Sequence, residues 1–94
     1  MRTIEYASAF KKDFRRVKAT PRHQRDIDDL LGAVLVRLVH DEPLLPSCRD
    51  HDLTGNWAHY RECHLRPDLL LIYQKTDGET LRLVRLGSHS ELFK

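Results

Sequence analysis

Long apolar runs are missing from this chain: none approaches the roughly 20 residues that a membrane-spanning helix needs. No membrane partner is therefore expected. The opening "MRTIEYASAF" lacks the apolar core of a secretory signal, which makes the cytosol the expected compartment. Cysteine is scarce too. Cys48 and Cys63 are the only two, too few for a disulfide framework, and in a reducing compartment both are expected as free thiols. Glycine and proline number four each, and no repeat, low-complexity tract or linker divides the chain. Residues 1–94 read as one domain, long enough for a single core. Charge of one sign is lacking as well: a net +2 permits an acidic partner or nucleic acid without demanding either. Histidine is what the chain holds in quantity. There are six, and each can exchange a proton near neutral pH.

The chain divides into a helical front and a strand-rich back. "TIEY" (Thr3 to Tyr6) alternates as a short strand. Ser8 is placed to cap a helix whose apolar residues Phe10, Phe14 and Val17 fall at i, i+4 and i+7. Thr20-Pro21 reads as the start of a second helix, carrying the stripe Ile27, Leu30, Leu31, Val34, Leu35 and Leu38. "DEP" (Asp41 to Pro43) ends it, and "PLLPSCRDHDLTGNW" reads as a loop. Three strands then follow at 58–66, 69–75 and 80–86, separated by "RPD" and "TDGE" turns. The expected fold is α+β: two N-terminal helices packed on a twisted antiparallel sheet of about four strands.

Antiparallel pairing brings titratable groups together. With the second turn centred between Asp77 and Gly78, Leu86 falls opposite Leu69 and Arg85 opposite Leu70. With the first turn centred near Pro67, His64 is level with Leu70 too. Asp68 at the turn, and Ser88-His89 past the last strand, reach the same end of the sheet. A one-residue slip would break the shared face but not this convergence.

Histidines, a carboxylate and an arginine together suit RNA cleavage by the RNA's own 2′-hydroxyl. One group takes that proton and another protonates the departing 5′-oxygen. A cation steadies the charge that grows on the phosphorus oxygens. Such chemistry calls for no cofactor and no metal.

The residues also carry a family pattern. "DHDLTGNWAHYRECHLRPDLLLIYQ" and "LVRLGSHSELF" resemble the YafQ branch of the RelE-like bacterial toxins, ribosome-dependent mRNA endonucleases of toxin–antitoxin systems. Its most specific parts are "HxLxGxWxxYRxxHxxPD" (His51 to Asp68) and "GxHxxLF" (Gly87 to Phe93). The resemblance implies a microbial-ribonuclease-like fold with catalytic roles at His51, His64, Asp68 and His89. It implies substrate contacts at Arg85 and Phe93, and at the position of Leu69, where many relatives carry a tryptophan able to stack on a base. It further implies cleavage of mRNA in the ribosomal A site, giving a 2′,3′-cyclic phosphate. The implied partners are the ribosome, mRNA and a cognate antitoxin, acidic and with a DNA-binding N-terminal half.

Each residue has a plainer competing reading. Pro67-Asp68 is ordinary turn chemistry, His89 could end the last strand, and Arg85 could be a sheet-surface cation. His40 and His59 read as solvated, His23 as a first-turn helix residue without a role, and Trp57 and Tyr60 as packing. Cys48, His51, Cys63 and His64 count as four zinc ligands, but adjacent strand residues face opposite ways, which makes a closed site awkward. Two other functions stay open: a fold-sharing toxin that poisons DNA gyrase, and a non-catalytic nucleic-acid binder, which the modest charge supports only weakly. Neither needs the histidine set.

Overall fold

The computed structural model describes residues 1–93. The elements run β1 (Thr3–Tyr6), α1 (Ser8–Lys18), α2 (Ile27–Val39), β2 (His51–Asp52), β3 (Arg61–Arg66), β4 (Leu69–Gln74), β5 (Thr80–Gly87) and α3 (His89–Leu92). Short 3₁₀ turns at Pro46–Cys48 and Gly55–Trp57 flank β2. The sheet order is β1-β5-β4-β3-β2. It is mixed rather than wholly antiparallel: β1 runs parallel to β5, from Thr3 opposite Thr80 to Tyr6 opposite Leu83. The fifth strand is β2, two residues inside what the sequence reads as loop.

β4 is the spine. Leu69 to Tyr73 are all buried, an unbroken apolar run that marks a strand covered on both faces. Leu69, Leu71 and Tyr73 meet Phe10 and Val17 of α1 and Ile27, Leu31, Val34 and Leu38 of α2. Leu70 and Ile72 point the other way, into a smaller cluster with Leu92, Leu53, Trp57, Tyr60, Val84 and Phe93. The sheet thus has a helix face and an outer face, the latter covered at one end by α3.

α1 also closes the sheet edge. Beyond Tyr6 the strand β1 is gone, but Ala7 N–H still donates to Leu83 O at 2.9 Å. Further along β5, Asp13 Oδ2 accepts the Leu86 N–H at 3.0 Å, and Arg16 Nη2 donates to Leu86 O at 3.0 Å. Side chains of a helix thereby satisfy backbone groups that a neighbouring strand would otherwise take.

Three local expectations are corrected. Ser8 is the first helical residue of α1 and caps nothing; the N-cap position is Ala7, without a side-chain bond. α2 begins at Ile27, not at Thr20. Thr20 Oγ1 instead donates to Arg16 O at 2.9 Å, finishing α1, and residues 21–26 form turns. Arg22 pairs with Asp68 and Asp26 with Arg66, ties to the β3–β4 turn that hold this segment out of a continuous helix. The β4–β5 register differs from expectation by two residues: Leu86 lies opposite Leu71 and Arg85 opposite Ile72. Near the turn Gln74 pairs with Arg82, so the ladder is centred on Gly78, and a register shift between Ile72 and Tyr73 adds the second residue. A two-residue shift preserves faces, so the convergence at the sheet end stands.

Candidate active site

β2 owes its position to alternation. Asp50 and Asp52 flank His51, and both are gripped by Arg61 of β3, at 3.0 Å from Nη2 and 2.6 Å from Nη1 respectively. Tyr73 OH donates to Asp50 as well. The Asp50 hydrogen bond raises the Arg61 guanidinium above its ordinary value, so it stays charged. With the two aspartates held on that side, His51 turns to the outer face and lies directly opposite Glu62. Its Nε2 is 3.1 Å from Glu62 Oε2. His64, two residues along β3 and so on the same face, has its Nε2 3.7 Å from that same oxygen. His51 is exposed, His64 half-buried, and Glu62 buried at 5%.

Glu62 is the site residue that the sequence reading missed. The signal was present: a carboxylate two positions before His64 on a strand must share its face.

His64 continues as a row across the sheet, opposite Leu70, which is in turn opposite Gly87. Past Gly87 the chain makes a compact corner. Ser88 Oγ accepts the Glu91 N–H at 3.2 Å and Glu91 Oε1 accepts the Ser88 N–H at 2.8 Å, a reciprocal cap that starts α3. The Ser88 amide bond holds the Glu91 carboxyl below its ordinary value. Gly87 leaves room for its neighbours: a Cβ there would come within 2.8 Å of Arg16 Nη2 and 3.0 Å of Glu91 Oε1, and those side-chain ends would have to shift. The corner sets His89 on the surface with its ring 4.8 Å from that of Phe93, which itself rests edge-on against Trp57 at 5.9 Å.

Asp68 sits at the β3–β4 turn, partly exposed and paired with Arg22. It lines one cleft of about 340 Å³ with Ser88, Arg16, Arg22 and Glu91, so the turn and the α3 corner do meet at one sheet end. Arg85 goes elsewhere: its Nε is 2.7 Å from Asp13 Oδ2 and its Nη2 3.3 Å from Oδ1. Leu69 is buried at 1% in the helix-side core, so it offers almost no surface on which a base could stack. Cys63 is fully buried, and burial pushes its thiol well above the ordinary value. Cys63 packs in the helix-side core while His64 reaches Glu62 on the outer face. Among the described residues no group of three or more His, Cys, Asp or Glu side chains is placed to hold a metal ion.

Two helices on one face of a five-stranded sheet, with histidines gathered on the other, define a class of small bacterial toxins of the RelE-like fold. The chain belongs to the YafQ family, bacterial toxins of type II toxin–antitoxin systems, whose model matches residues 2–94. It is 37% identical over 92 residues to the mRNA interferase toxin YafQ of Escherichia coli K12, covering 98% of this chain and 96% of that protein. A copper-bound mutant toxin from Helicobacter pylori superimposes with a TM-score of 0.86 at 40% identity, covering 99% of this chain and all of that one. The toxin of the E. coli DinJ–YafQ complex superimposes with a TM-score of 0.82 at 34% identity, with both chains fully covered.

Proposed function

We propose that this toxin is a ribosome-dependent endoribonuclease that cleaves mRNA in the ribosomal A site and so halts translation. The observation that carries the reading is the meeting of His51 and His64 at Glu62 on the outer face, with His89 and Asp68 at the adjoining sheet end. These are groups that take and give protons, as attack by a 2′-hydroxyl requires. Between them His51, His64, Asp68 and His89 supply the two proton transfers and hold the phosphate. Arg85, balanced by Asp13, and Phe93 flank the substrate. With Leu69 buried, the splayed base finds no stacking surface at that position. The ribosome supplies the orientation that the small site does not, so free RNA should be cut poorly. The partner in the cell is a cognate antitoxin, acidic and with a DNA-binding N-terminal half, and the compartment is the cytoplasm.

The test is a purified translation system with the mRNA 5′ ends mapped. Cuts confined to the A-site codon, absent without ribosomes, are expected. Undamaged message with stalled supercoiling by gyrase would overturn the reading.

A further inference from the structure

Glu62 is a buried carboxylate whose neighbours of opposite charge are, among the described residues, two imidazoles and no lysine or arginine. Its other oxygen, Oε1, is buried with no protein partner, and so is His64 Nδ1. A carboxylate removed from water in this way is costly unless its neighbours answer it. The answer lies in where the protons of His51 sit. His51 Nδ1 is 2.6 Å from Arg49 O, and a carbonyl only accepts, so Nδ1 carries a proton. A neutral ring would then turn a bare Nε2 lone pair towards Glu62 Oε2. The 3.1 Å contact is favourable only when a proton lies on that side too.

We propose that Glu62 is the positioning residue of the site: it holds His51 and His64 by their Nε2 atoms and keeps a proton between itself and His51. The proposal rests on the endoribonuclease reading for its consequence in catalysis. Both nitrogens of His51 are then engaged, one with Arg49 and one with Glu62. His51 serves as a fixed support beside the phosphate rather than as the group that exchanges a proton with RNA. Among the described residues no other charged group pairs with Glu62: β4 presents Ile72 there, and Arg85 on β5, opposite Ile72, is held by Asp13.

The experiment uses the full chain labelled with ¹⁵N, recording ring-nitrogen resonances of each histidine, beside single-turnover cleavage on ribosomes. In the wild type, His51 should show protons on both ring nitrogens at neutral pH. In Glu62→Gln, His51 should keep its proton on Nδ1 alone and the His64 signals should move. Cleavage should slow roughly tenfold or more, with the affinity for programmed ribosomes unchanged. Glu62→Asp, which keeps the charge, should recover part of both effects, and it replaces the glutamine variant if that one does not fold. A wild-type His51 without a proton on Nδ1, or with a bare Nε2, would overturn the proposal. So would unchanged His51 and His64 signals in folded Glu62→Gln, or full-speed cleavage by it. A wild type with no ribosomal cleavage at all would sink the endoribonuclease reading, while the ring-nitrogen comparison still decides whether Glu62 sets the protons.

Discussion

Asp13 receives Arg85 through both carboxylate oxygens while its Oδ2 also accepts the amide of Leu86. One buried side chain from α1 therefore fixes both the edge of β5 and its arginine. Burial alone would raise the Asp13 carboxyl; the bonds from Arg85, Leu86 and Arg16 outweigh it and hold it below the ordinary 3.8. A carboxylate depressed in the folded state adds stability that is present above 3.8 and lost as pH falls through the folded value. Asp13→Asn should cost about 3 kcal/mol, the low end for breaking a buried pair, because Arg16 and Arg85 keep solvent contact. It should also flatten the acid limb of the stability curve. Urea unfolding of both proteins across the acid range measures this, and equal curves would refute it.

His23 behaves oppositely to its plain reading. It is buried at 7%, with Nδ1 unpartnered. Burial first, then Arg22 and Arg66, lowers its tendency to take a proton below the ordinary 6.5. The unfolded chain binds that proton more readily, so stability should fall as pH drops from 6.5 through the folded value. His23→Phe should remove this share of the pH dependence, seen as a thermal midpoint that stays level over that window. A variant as pH-sensitive as the wild type would place the loss elsewhere.

Replacing His64 or His89 by alanine should relieve toxicity while the protein still binds antitoxin, since neither belongs to the apolar clusters. General acid–base groups contribute about 10²–10⁴-fold, and groups acting together do not add. His59→Ala is the control: His59 is exposed, precedes β3 and lies outside the site. It should remain toxic. Loss of cleavage in His59→Ala alone, with the other two fully active, would put the site in the wrong place.

Cleavage should also survive a chelator selective for zinc and copper, with magnesium kept for the ribosome. The groups placed for proton transfer need no ion between them. Stoichiometric zinc or copper in the purified protein, with activity lost on its removal, would count against this scheme.

The Ile27-to-Leu38 stripe and the three strands were legible because each buries one face or two, which writes a period into the sequence. β2 was not. Two residues make no period, and what holds the strand is tertiary: its pairing with β3 and the grip of Arg61 on both neighbours of His51. The start of α2 was misread at Thr20-Pro21 because the ties from Arg22 and Asp26 to the β3–β4 turn are tertiary and outweigh a local start signal. Asp13 lay in view: it falls on the same helix face as Phe10, Phe14 and Val17, an acid in an apolar stripe. The histidine pattern singled out His51 and His64, but not that a glutamate joins them.

The first strand and the last lie side by side, Thr3 against Thr80. A sheet closed by its two most distant segments is complete only when both have been brought together, which is slow, non-local pairing. Until β5 has joined the sheet, β4 lacks one neighbour, β1 lacks its partner, and the outer cluster lacks Val84 and Leu92. The corner that sets His89 on the surface likewise has nothing to start from without β5. Cutting away this one strand would therefore undo both ends of the chain at once, leaving β1 with no partner and β4 with only one.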